Sequence, residues 1–191
     1  MSLKFIKTSI PGVIIVEPEK FEDARGFFME TYHYKKYEEG GISSLFTQDN
    51  HSHSKKGILR GLHYQLHHPQ EKLVHVVVGE IFDVAADIRI GSPTFGKWVG
   101  TVLSADNRQQ VMIPKGFAHG FCVLSDNADV IYKCGDFYNP DDEYGISWND
   151  PMMNIEWPLK NPSLSNKDSR NPELNQVSQN HLPIYDHHSA Q

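Results

Sequence analysis

Short apolar runs broken by Gly, Pro, Asn and Asp recur along the chain as far as residue 137. Runs at 13–16, 27–32, 58–64, 73–78, 81–88, 98–103, 109–113, 120–124 and 128–137 have the length and residue content of strands. Gly79-Glu80 separates two of them like a two-residue turn, which predicts a hairpin. Gly91-Ser92-Pro93 and Ala105-Asp106-Asn107 mark further turns. Only residues 33–39 read as helical before the last third. Strands repeated at this spacing, with no helices between them, predict a β-sandwich or barrel. From Asp150 onward, Pro151, Pro158, Pro162 and Pro172 with many Asn and Ser predict an irregular segment wrapped on the barrel. Residues 174–191 are expected to form a loosely ordered polar tail.

Composition narrows the class. With 191 residues, 39% hydrophobic and 22% charged, the chain reads as one globular domain over residues 1–191. A chain of this length buries roughly two thirds of its unfolded surface, enough to fold without a disulfide. Its formal charge of -6 argues against a nucleic-acid partner, so an anionic ligand must be met by a local cluster. No apolar run nears the ~20 residues of a membrane span. Pro11 and Gly12 interrupt the stretch a signal peptide would need. Cys122 and Cys134 lie in apolar strand-like runs and read as reduced core thiols of a cytoplasmic protein.

Eleven histidines raise the question of a metal. The chain carries Gly57-Ile58-Leu59-Arg60-Gly61-Leu62-His63-Tyr64-Gln65, then Lys72 and Gly79, and later Pro114-Lys115-Gly116-Phe117-Ala118-His119. These blocks resemble the two motifs of the cupin superfamily of jelly-roll barrels, in which His-x-His, a Glu and a last His hold a metal. Residues two apart on a strand share a face, so such a set points inward together. Here the second His is Gln65 and the Glu is Lys72. A protonated Lys cannot ligate and repels a divalent cation, so no functional metal is expected. The pairs His51/His53, His67/His68 and His187/His188 have no further ligand at a matching distance and read as solvated loop or tail residues.

Keeping His63 while placing a cation at Lys72 suits different chemistry. A neutral imidazole is a general base near pH 7. An ammonium can hold a developing oxyanion. The hydroxyls of Tyr132 and Tyr138 could return a proton from another direction. Together they fit moving a proton on carbon beside a carbonyl, although a satisfied core His or Tyr is the blander alternative for each.

Longer blocks sharpen the picture: 21–30 with Arg25-Gly26, Gln48-Asp49-Asn50, Tyr132-Lys133-Cys134, Trp148-Asn149-Asp150-Pro151, Glu156-Trp157-Pro158 and Ser165-Asn166-Lys167-Asp168. Over residues 5–168 the chain resembles the dTDP-4-dehydrorhamnose 3,5-epimerases. The resemblance implies a mainly β cupin jelly-roll with a few short C-terminal helices. It also implies epimerisation of dTDP-4-dehydro-6-deoxy-D-glucose at C3 and C5, in dTDP-L-rhamnose synthesis, with no cofactor. It assigns His63 as base with Asp168 as its carboxylate, Lys72 to the C4 enolate oxygen, Tyr132 as proton donor, and Tyr138 to stacking on thymine. Arg25, Glu30, Gln48, Asp49, Asn50, Arg60, His119, Glu143 and Lys167 become substrate contacts. Arg25, Arg60, Lys72 and Lys167 would cradle the diphosphate, although Arg25 and Glu30 could instead pair across a strand. Glu143 could equally be a solvated charge of its acidic loop, and Gln65 a hydrogen-bond filler. The resemblance further implies a homodimer that exchanges N-terminal strands, carrying Arg25 and Glu30 into the partner's site. Epimerases acting at C3 or C5 alone, and a cupin that only binds a nucleotide sugar, are the competing readings.

Overall fold

Alternating inward and outward residues along eleven of thirteen strands build two antiparallel sheets that face each other in the computed structural model, which describes residues 2–186. The strands are β1 (Leu3–Lys7), β2 (Ile14–Pro18), β3 (Lys20–Asp23), β4 (Gly26–Met29), β5 (Gln48–Lys55), β6 (Leu59–Gln65) and β7 (Lys72–Val78). They continue with β8 (Glu80–Asp87), β9 (Trp98–Ser104), β10 (Gln110–Ile113), β11 (Phe117–Val123), β12 (Asn127–Cys134) and β13 (Glu143–Gly145). The first sheet has the order β1-β2-β10-β7-β12-β5 and the second β13-β6-β11-β8-β9; β3 and β4 form a hairpin of their own. This is the expected jelly-roll. His187 and His188 lie outside the described residues.

Three apolar clusters hold the layers. Between the sheets, Val74, Val76, Val111, Ile113, Ala128 and Val130 meet Ile81, Ala85, Leu103, Phe117, Phe121 and Val123. The single α-helix among the described residues, α1 (Tyr34–Glu39), begins one residue after the expected start, and its Tyr37 covers the outer face of the first sheet with Val16, Ile42, Leu73 and Met112. Residues 146–182 cover the second sheet: Ile146, Met153, Leu174 and Leu182 pack on Leu62, Tyr64, Val84 and Ala86. Cys122 and Cys134 are buried free thiols on β11 and β12.

Several expectations need correction. Residues 73–78 and 81–88 are not a hairpin: β7 pairs with β10 and β12, whereas β8 pairs with β11 and β9. At Gly79 the chain crosses between sheets with φ +76°, and an added Cβ would stand 2.0 Å from the Asn127 carbonyl oxygen. The polar run of β5, and β1, β3 and β13, were absent from the predicted strands, while β4 stops at Met29 and β12 at Cys134. His51 and His53 sit on β5 rather than in a loop, both against Asp129 Oδ1, at 2.9 and 3.1 Å. The expected loose tail is docked as far as Leu182: Leu174 and Leu182 are buried, and Tyr64 donates to the His181 carbonyl at 2.8 Å. Apolar Leu174 and Leu182 are the physical reason, since burying a Leu contributes about 1.5–3 kcal/mol.

Candidate active site

Where polar strand faces replace apolar ones, the two sheets enclose a cavity of about 610 Å³. Gln48, Asn50 and Ser52 enter it from β5, Arg60 and His63 from β6, Lys72 from β7, His119 from β11 and Tyr132 from β12. Period-two alternation does the sorting. His63 faces in, while Leu62 and Tyr64 on either side point into the outer cluster. On β6 the close approach to β11 depends on Gly61: a Cβ there would lie 2.5 Å from Gly120 Cα. This contact coincides with a register irregularity between His119 and Phe121, and it leaves His119 directly opposite His63.

His63 Nε2 lies 2.6 Å from Asp168 Oδ1. Asp168 is buried at the start of a 3-10 turn, and Ser165 Oγ accepts its backbone N–H at 3.0 Å. Burial alone would push the Asp168 carboxyl up, but the hydrogen bond and charge of His63 with the Gly61 N–H hold it below the usual carboxylate range. An ionised carboxylate only accepts, so Nε2 carries the proton and Nδ1 keeps the lone pair. Nδ1 stands 3.9 Å from Glu143 Oε1.

Glu143 belongs to the site rather than to solvent. It accepts from Tyr138 Oη at 2.8 Å and pairs with Lys167. Burial opposes its ionisation, yet the Lys167 and Tyr138 hydrogen bonds keep its carboxyl below the usual range. The same bond, seen from the phenol, pushes Tyr138 up to about 12. Tyr138 is exposed, while its neighbour Asp142 is buried and accepts the His67 and His68 backbone N–H groups. Lys72 is half-buried in the cavity wall, and burial lowers its pKa against the raising pull of Cys134, Glu143 and Asp83. Burial also pushes the Tyr132 phenol up.

Most of the expected residues converge here, and three do not. Asp49 is on the opposite face of β5 from Gln48 and Asn50, paired with Lys133 at 3.0 Å, because neighbouring strand residues alternate faces. Arg25 is 90% exposed on the β3–β4 hairpin and pairs with Asp23 at 2.6 Å, and Glu30 pairs with Lys36 at 2.7 Å. Arg25 and Glu30 therefore neither line this cavity nor pair with each other. The cationic group inside one chain is Arg60, Lys72 and Lys167. Gln65 is a filler: its amide donates to the His68 carbonyl at 2.8 Å and accepts the Asn139 N–H at 2.9 Å. Among the described residues no group of three His, Cys, Asp or Glu is placed to hold a metal ion. Sequence reasoning missed Asp83, whose Oδ2 lies 2.8 Å from His119 Nε2. A lone carboxylate in the apolar run 81–86 was the signal for it.

The sequence model of the family described as dTDP-4-dehydrorhamnose 3,5-epimerase matches residues 7–176. The chain belongs to that family. The Shigella flexneri dTDP-4-dehydrorhamnose 3,5-epimerase is 60% identical over 168 residues, covering 87% of this chain and 93% of its own. The Legionella pneumophila epimerase, solved in complex with dTDP-4-keto-L-rhamnose, superposes with a TM-score of 0.95 at 52% identity, covering 97% of this chain and 100% of that one. A 3'-monoepimerase from Streptomyces bikiniensis, in complex with dTDP-quinovose, superposes with a TM-score of 0.87 at 33% identity, covering 93% and 92%. Like this epimerase's cavity, the family match spans both sheets. No helix among the described residues is long and apolar enough to cross a membrane.

Proposed function

We infer that this epimerase converts dTDP-4-dehydro-6-deoxy-D-glucose into dTDP-4-dehydro-L-rhamnose by inverting C3 and C5, a step in dTDP-L-rhamnose synthesis for polysaccharides. The observation that carries the reading is the His63–Asp168 pair, 2.6 Å apart, in a cavity shared with Lys72 and Tyr132.

The C4 ketone acidifies the hydrogens on C3 and C5. His63 Nδ1 takes one proton, and the C–H electron pair moves through the new C=C bond onto the C4 oxygen. The imidazolium that forms is stabilised by Asp168, and the enolate oxygen by the Lys72 ammonium. Tyr132 then returns a proton to the opposite face of the carbon, and His63 and Tyr132 recover their starting states through solvent before the second inversion. The raised pKa of Tyr132 supports this role, because it keeps the phenol protonated. Only protons move, so the chemistry needs no redox cofactor. Arg60 and Lys167 are proposed as diphosphate partners, Tyr138 as the thymine-stacking ring, and Gln48, Asn50, His119 and Glu143 as further substrate contacts.

The exposed aromatic residues Phe21, Phe27 and Phe28, on a hairpin outside both sheets, support a homodimer in which Arg25 and Glu30 reach the partner's cavity. A cytoplasmic site of action fits the two free buried thiols. The test is to incubate the protein with dTDP-4-dehydro-6-deoxy-D-glucose and read the product's configuration by NMR. Inversion at both carbons is expected. Inversion at one carbon would instead assign a single-position epimerase, and nucleotide binding without inversion a binding module.

A further inference from the structure

The cavity holds a second histidine–carboxylate pair that the proton transfers do not use. His119 on β11 faces His63 across one ladder; across the other its partner is Ala85 of β8, and Asp83, two positions along that strand, reaches it diagonally, with His119 Nε2 2.8 Å from Asp83 Oδ2. The two pairs sit in different surroundings. The side chain of His63 is 26% exposed and its carboxylate comes from a turn. Those of His119 and Asp83 are 8% and 1% exposed, and Asp83 interrupts a strand whose Ile81, Val84, Ala85 and Ala86 are all buried. Asp83 Oδ1 is itself buried without a hydrogen-bond partner among the described residues. A half-satisfied buried carboxylate is costly to fold around, so its retention calls for a reason.

Its one bond supplies that reason. An ionised carboxylate accepts only, so His119 Nε2 carries the proton and Nδ1 is left with its lone pair. Among the described residues Nδ1 takes no hydrogen bond, while the ring lines the cavity. Building on the epimerase reading, we propose that Asp83 is a positioning residue that locks His119 in the Nε2–H tautomer, so that Nδ1 accepts a hydrogen bond from a sugar hydroxyl. A lone pair at this point admits a hydroxyl and rejects a carbonyl or phosphate oxygen. Two imidazoles on facing strand positions thereby divide the work: His63 takes a proton from carbon, and His119 reads a neighbouring hydroxyl.

Long-range ¹H–¹⁵N correlation spectra of histidine-labelled protein, with His119→Gln to assign the resonance, test the tautomer. At neutral pH the free wild-type enzyme is expected to show the Nε2–H pattern for His119. Asp83→Asn should mix the tautomers and raise KM about tenfold, the size of one hydrogen bond, with kcat changed less than about threefold. A doubly protonated or Nδ1–H ring in the wild type would overturn the proposal. So would an Asp83→Asn enzyme with unchanged KM, or one that loses kcat instead. The spectrum requires neither a variant of Asp83 nor turnover, so it is decided separately from the epimerase reading.

Discussion

His63 and Lys72 do opposite things with burial. Asp168 fixes the His63 tautomer with a single 2.6 Å bond and leaves the basic nitrogen free. Lys72 has its ammonium destabilised by enclosure, which lowers its pKa from the ordinary lysine value. A cation that holds an enolate works only while protonated, so activity is lost as pH rises through that lowered value. Tyr132 shifts the other way, so its deprotonation falls above the ordinary tyrosine value of about 10. The alkaline limb of kcat that belongs to Lys72 should therefore lie below the ordinary lysine value of about 10.4. In Lys72→Arg the surviving activity should lose that limb, because Arg stays protonated; an unchanged limb would remove Lys72 from the role. His63 and His119 were legible as motif positions that keep their histidine, and Lys72 as one whose ligand had changed. Asp168 came only through resemblance, since nothing local marks a carboxylate 105 residues away as a partner. Asp49 was misplaced because a block of three adjacent residues ignores strand alternation.

Of the longer strands that line the cavity, β5 was the one the hydrophobic pattern missed. The eight residues of β5, Gln-Asp-Asn-His-Ser-His-Ser-Lys, contain no apolar side chain, because one face meets substrate space and the other meets solvent. Strands facing the apolar interior, such as β7, β8 and β10, matched their predicted spans closely. The β7–β8 link failed for a different reason. Gly79-Glu80 does turn the chain, but local turn chemistry cannot say whether the next strand pairs with its predecessor or crosses to the facing sheet. Gly79→Ala tests the crossing. Its positive φ and the 2.0 Å approach to Asn127 leave no place for a methyl. A loss of at least about 2 kcal/mol is expected, or about 5 °C or more in Tm by calorimetry. A Tm within about 1 °C of wild type would contradict the described crossing.

For the molecule as a whole, one chain brings His63, Asp168, Lys72 and Tyr132 to one cavity but leaves Arg25 outside it. If the hairpin completes the partner's site, Arg25→Ala and His63→Ala subunits should complement each other. Each variant alone is expected to be nearly inactive. A co-expressed mixture should regain about a quarter of wild-type activity, because half the dimers are mixed and each has one intact site. No recovery, with mixed dimers confirmed by mass, would place Arg25 outside the site. The central claim is that His63 moves the protons at both carbons. Its most direct test is deuterium incorporation from D₂O into dTDP-4-dehydro-6-deoxy-D-glucose, followed by mass spectrometry and NMR. The wild type should label C3 and C5, and His63→Ala should label neither while still binding dTDP. Label at either carbon with folded His63→Ala, at a rate near wild type, would contradict the assignment.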